Sequence, residues 1–116
     1  MTTTTIDPTQ LPATIRAYLA AHAAKEADAA ARTFDPAAVV TDEGHTYRGA
    51  AQVREFLTRA GSGYTYTTEL VGTERVDDEQ WVAVNRLEGD FPGGVVELRY
   101  AFTLVDDLIT ELVIAP

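Results

Sequence analysis

The chain has 116 residues, no cysteine, and 9 basic against 18 acidic side chains, for a net charge of −9. One domain accommodates that length, and disulfides and thiolate metal sites are excluded. The acidity repels phosphate backbones and no basic stripe offsets it, so nucleic acid and anionic membranes are poor partners. No apolar run reaches the roughly 18–20 residues of a membrane helix, and the first residues lack a signal-peptide pattern, so a cytoplasmic location is expected. Eight of the nine cations are Arg and Ala is abundant, a usage that points to a high-GC bacterial source.

Residues 1–9 read as a flexible tail, followed by one domain over 10–116. From Leu11 to Lys25, Leu11, Ile15, Tyr18, Leu19 and His22 recur at helical spacing. Pro12 suits the first turn, with Thr9 or Gln10 as a cap. A second helix is expected from Ala27 to Phe34, ended by Asp35-Pro36. Val39–Asp42 and His45–Arg48 form a hairpin about Glu43-Gly44. Ala50–Ala60 is a third helix burying Val53, Phe56 and Leu57, closed by Gly61-Ser62-Gly63. Strands follow over Tyr64–Val76, Gln80–Gly89, Val95–Val105 and Leu108–Ala115, with Gly72 marking a bulge. Helices first and consecutive antiparallel strands after make an α+β chain.

Val96, Leu98, Tyr100, Phe102 and Leu104 alternate with Glu97, Arg99, Ala101 and Thr103, the period of a strand with one face on a core. Pairing Asp90 with Val95 sets Asn85 opposite Tyr100, Ala83 opposite Phe102 and Leu87 opposite Leu98. Trp81 shares that inner face. Arg86, Glu88, Glu97 and Arg99 fall outside, where diagonal ion pairs are expected, and a slip of two residues changes the pairs without changing the faces. Asn85 and Tyr100 are the polar members of the inner face. They read either as a satisfied core hydrogen bond or as the lining of a ligand cavity.

The stretch Phe34-Asp-Pro-Ala-Ala-Val-Val-Thr-Asp-Glu-Gly-His-Thr-Tyr-Arg-Gly-Ala-Ala-Gln-Val-Arg-Glu-Phe56 resembles the nuclear transport factor 2-like superfamily, which includes SnoaL-like polyketide cyclases and ketosteroid isomerases. Leu108–Pro116 is similar to the last strand of SnoaL-like domains. The resemblance implies a cone-shaped α+β barrel, three N-terminal helices on a curved, mostly antiparallel sheet, with a pocket at the open end and a homodimer through the outer sheet face. It also implies a small hydrophobic ligand and no cofactor.

In the isomerases a tyrosine on the first helix stabilises an oxyanion and an aspartate on the hairpin strand is the base. Tyr18 and Asp42 match those places, 24 residues apart. The isomerases' second aspartate falls near Tyr100, which is a departure. Asp42 reads as a pocket carboxylate or as a turn acid before Glu43-Gly44. His22 lies one turn beyond Tyr18 and reads as a general acid or base, or as a packed group. His45 is expected to face solvent. Phe34, Phe56, Trp81 and Phe102 are core aromatics that this fold also uses as pocket walls. No metal-ligand spacing occurs, and Ser62 lacks a nucleophile-elbow context.

These residues imply proton abstraction from a hydrophobic carbonyl compound, by a cyclase or isomerase, with Asp42 as base. The alternative is a non-catalytic ligand-binding or accessory homodimer. A limonene-type epoxide hydrolase would need Arg86 to point inward, against the register.

Overall fold

A computed structural model describes residues 3–60 and 66–116. The expected loop Gly61-Ser62-Gly63 and the start of the next strand at Tyr64 lie outside the described residues.

Within the segment expected as a tail, Thr4–Thr5 form a short strand, β1, paired with Glu74 and Arg75. Asp7 then caps a 3-10 turn over Pro8–Gln10. Its carboxylate accepts from the Thr9 amide at 2.9 Å, and Gln10 Oε1 accepts from the Asp7 amide at 2.8 Å. This reciprocal pair satisfies amides that a helix start would leave orphaned. Helix α1 (Ala13–Ala23) follows Pro12 and buries Ile15, Tyr18 and Ala21.

Helix α2 covers only Ala27–Ala31, shorter than the expected Ala27–Phe34. The Thr33 hydroxyl turns back to donate to the Ala30 carbonyl at 2.6 Å, and the Thr33 carbonyl accepts from the Ile109 amide at 2.9 Å. Phe34 is thereby drawn into strand β2 (Phe34–Asp42), opposite Ile109 of β7 (Leu108–Ala115). The pairing is parallel and spans distant parts of the chain, so no local pattern announces it. Its register shifts between Phe34 and Val39, across Asp35-Pro36, which is where a proline without an amide is tolerated.

Strand β3 (His45–Arg48) returns from β2 through Glu43 and Gly44, at φ 51° and 79°. Two successive left-handed residues match the twist of a tight hairpin, and glycine takes the second without strain. Helix α3 (Gly49–Ala60) buries Val53, Phe56 and Leu57. The remaining strands are β4 (Tyr66–Arg75), β5 (Gln80–Gly89) and β6 (Val95–Val105). The β4 register shifts between Leu70 and Gly72, the position expected for the bulge, leaving Val71 exposed.

The sheet order is β1-β4-β5-β6-β7-β2-β3, antiparallel except for β2 with β7. It curves around the helices without closing, so β1 and β3 are free edges and the barrel is open. Between β5 and β6, Ala83 faces Tyr100, Asn85 faces Leu98 and Trp81 faces Phe102. The expected pairs are therefore displaced by two residues, while every side chain keeps its expected face. On the outer face Arg86 stands directly opposite Glu97. The ion pairs differ from the expected diagonals: Arg86 reaches Glu88 at 3.5 Å on its own strand, and Arg99 reaches Glu74 of β4 at 3.5 Å. The core between helices and inner face holds Ile15, Tyr18, Phe34, Val40, Phe102 and Leu112.

Candidate functional site

At the open end of the sheet lies a cavity of about 590 Å³. Its floor and walls are Leu87, Val96, Leu98, Tyr100 and Ile114 of the inner face, with Phe56 of α3 and His22 of α1. The rim is Asp42, Glu43 and Gly44 of the hairpin, Tyr66 at the start of β4, Phe91 and Pro92 of the β5–β6 turn, and Ala115 and Pro116. The size and apolar walls suit a small organic molecule held by a few polar groups.

Asp42 ends β2 where the chain turns, so its carboxylate is half-buried. Burial raises its pKa above the ordinary carboxylate value, the adjacent Glu43 charge adds to this, and His45 opposes it. A carboxylate so placed is a stronger base once ionised. His22 sits in the last turn of α1. Burial lowers its pKa, as does the Lys25 ammonium, so the imidazole is neutral at pH 7. Its Nε2 lies 3.3 Å from the Tyr100 hydroxyl. Burial pushes the Tyr100 phenol well above its ordinary value, Tyr66 and Asp42 add to this, and the Asn85 amide opposes it. The phenol is thus a donor that stays protonated.

Tyr18 lies beneath this group, not on the cavity wall. It is fully buried, its ring stacks on His22 at 5.8 Å and 5°, and its hydroxyl finds no partner among the described residues. Burial raises its pKa well above the ordinary value. Phe34 and Phe102 meet Tyr18 edge-on at 5.6 and 5.5 Å, inside the core. Asn85 is also buried, and its Nδ2 lacks a partner of hydrogen-bond geometry. Trp81 packs against the same core. Of the residues expected at the site, Asp42, His22, Phe56 and Tyr100 meet in the cavity. Tyr18, Phe34, Trp81, Asn85 and Phe102 stand behind it.

His45 is exposed and stacks on Tyr47. Arg86 points to the outer face. No arginine lines the cavity among the described residues, so the group an epoxide hydrolase would need is not contributed by them. Tyr66, Leu87, Val96, Leu98, Phe91 and Ile114 were not singled out from sequence as pocket residues. Inner-face alternation carried the signal for Leu87, Val96 and Leu98. An apolar Phe-Pro pair inside an Asp/Gly turn carried it for Phe91.

A model of the SnoaL-like domain matches residues 15–112. A crystal structure of a candidate polyketide cyclase from Sinorhizobium meliloti is similar to the chain at 31% identity, with a TM-score of 0.86, over 95% of this chain and 100% of that one. A protein of ketosteroid isomerase-like fold from Catenulispora acidiphila, solved in complex with trimethylamine, is similar at 15% identity, TM-score 0.79, over 92% and 87%. An NTF2-like protein from Cytophaga hutchinsonii is similar at 9% identity, TM-score 0.71, over 88% and 85%. No curated protein matches the chain.

Proposed function

The chain belongs to the SnoaL-like domain family, and from that premise we propose that it binds a small hydrophobic carbonyl compound and abstracts a proton beside the carbonyl. The observation that carries this reading is a single apolar cavity holding both a carboxylate of raised pKa, Asp42, and a phenol hydrogen-bonded to a neutral imidazole, Tyr100 with His22.

Asp42 is the base, taking the proton from carbon as electron density moves to the carbonyl oxygen. Tyr100 donates its hydroxyl proton in a hydrogen bond to that oxygen. His22, as the Nε2–H tautomer, donates to the Tyr100 oxygen and leaves the phenol proton directed into the cavity. Tyr18 supports the imidazole from below, as a positioning residue. General base and oxyanion donor each supply roughly 10²–10⁴-fold in comparable enzymes. The polyketide cyclase description of the Sinorhizobium meliloti protein supports this class of substrate.

The test is exchange of the α-hydrogens of hydrophobic β-dicarbonyl compounds with D₂O, followed by NMR. Exchange at least 10²-fold above background, lost in Asp42→Asn and reduced in Tyr100→Phe, is the expected result. Background exchange of every compound that binds would leave a ligand-binding protein without this chemistry.

The same reading pairs two copies through the outer sheet face, where Ala101 and Val113 lie side by side and Val84 stands opposite Arg99, next to the facing Arg86 and Glu97. Such a patch is self-complementary across a two-fold axis. Sedimentation at micromolar concentration should give a dimer, and Ala101→Glu should give a monomer.

A further inference from the structure

Among the described residues, every ionisable side chain on the cavity wall is acidic or neutral. Asp42 and Glu43 bring two negative charges, and the imidazole of His22 and the phenols of Tyr66 and Tyr100 are uncharged at pH 7. No lysine or arginine lines the cavity among the described residues. Lys25 places its ammonium over the Tyr66 ring, 4.9 Å from the centroid, but is not part of the wall. His45, beyond Asp42, is exposed. The rings of Phe56, Tyr66, Phe91 and Tyr100 line the same space, and the faces of such rings carry a negative quadrupole that attracts cations. The chain around them has a net charge of −9, which concentrates cations at the mouth and repels anions.

We propose that the cavity selects a ligand bearing a positive charge, a protonated or quaternary amine on an apolar body, and rejects carboxylates and phosphates. The apolar body packs on Leu87, Val96, Leu98 and Ile114. The ammonium sits at the rim with Glu43, the exposed member of the acidic pair, which leaves the half-buried Asp42 for the body of the ligand. A carbonyl compound turned over here is therefore neutral or amine-bearing. The inference goes beyond proton abstraction because it concerns binding alone and stands or falls without turnover.

Three probes sharing a benzyl body test it on the full chain by NMR titration: benzyltrimethylammonium, its uncharged isostere neopentylbenzene, and the slightly smaller phenylacetate. The expected result is shifts at His22, Leu98 and Ile114, with the cation bound about tenfold more tightly than the isostere. Phenylacetate should cause no shift at the same concentrations. In the double variant Glu43→Gln, Asp42→Asn the cation should lose most of that advantage, while the isostere binds as before and so reports an intact cavity. The wild-type comparison decides the matter by itself if the variant does not fold. Equal binding of cation and isostere, binding of phenylacetate as tight as that of the cation, cation shifts confined to another surface, or no binding of any probe would each overturn the proposal. A failure of α-hydrogen exchange leaves these titrations untouched.

Discussion

Replacing Tyr18 by Phe removes one oxygen from a fully enclosed place in the core. The residue is 0% exposed, and its hydroxyl has no partner among the described residues. Burying a hydroxyl without a hydrogen bond costs about 1–3 kcal/mol by comparison with other proteins. The ring itself is needed: it stacks under His22 at 5.8 Å and receives Phe34 and Phe102 edge-on. Tyr18→Phe keeps those ring contacts and deletes the unpaired oxygen. The void left is smaller than a methyl group, so little packing is lost. The expected outcome is a gain of about 1 kcal/mol, or about 4 °C in Tm for a chain of this length. Thermal and urea unfolding measure it. The same variant should keep its α-hydrogen exchange, because Tyr18 is buried off the cavity wall whereas Tyr100 is part of it. A fall in Tm would show that the Tyr18 hydroxyl is hydrogen-bonded. A 10²-fold loss of exchange in a stable variant would transfer the oxyanion role from Tyr100 to Tyr18 and refute the division of labour drawn above.

Two linked pH effects follow from His22 and Asp42. Burial lowers the His22 pKa, so the unfolded chain binds more protons between the folded value and about 6.5, and stability rises with pH across that window. Urea midpoints between pH 5 and 8 should show the rise, and His22→Gln should flatten it. Asp42 acts with the opposite sign. Its folded pKa is raised, so ionisation lowers stability as pH climbs from about 3.9 through the folded value, and Asp42→Asn should be slightly more stable than wild type at neutral pH. Phe102→Ala, at a position 1% exposed, should cost about 3–5 kcal/mol by chemical denaturation. A cost below about 1 kcal/mol would mean that the core is not packed as described.

The faces of the sheet were legible in the sequence because side chains on a strand alternate with a period of two. Leu98, Tyr100 and Phe102 therefore had to share a side, whatever the register. The register itself was not legible, since the Asp90–Gly94 segment admits turns that differ by two residues, and both keep the hydrophobic set inside. Gly72 betrayed its bulge by being a glycine within a β pattern. Phe34 misled, because helical spacing extends to it locally while a parallel partner some 75 residues away, Ile109, captures it. Tyr18 and Tyr100 show the same limit at the site: both are tyrosines on apolar faces, and nothing local says which one reaches open space.

The sequence by itself determined the class of fold, the inner and outer faces, the absence of thiol chemistry and the place of Asp42 beside a tight turn. Those features depend on residue type and short-range periodicity. Tertiary structure alone decided that the sheet stays open, that His22 and Tyr100 meet at 3.3 Å from elements 78 residues apart, and that Tyr18 lies beneath them. It also decided the sign of the cavity's charge. Eighteen acids are spread along the chain, but only the curvature of the sheet and the parallel pairing of β2 with β7 determine which of them face enclosed space. Burial there perturbs a carboxylate that solvent would otherwise screen.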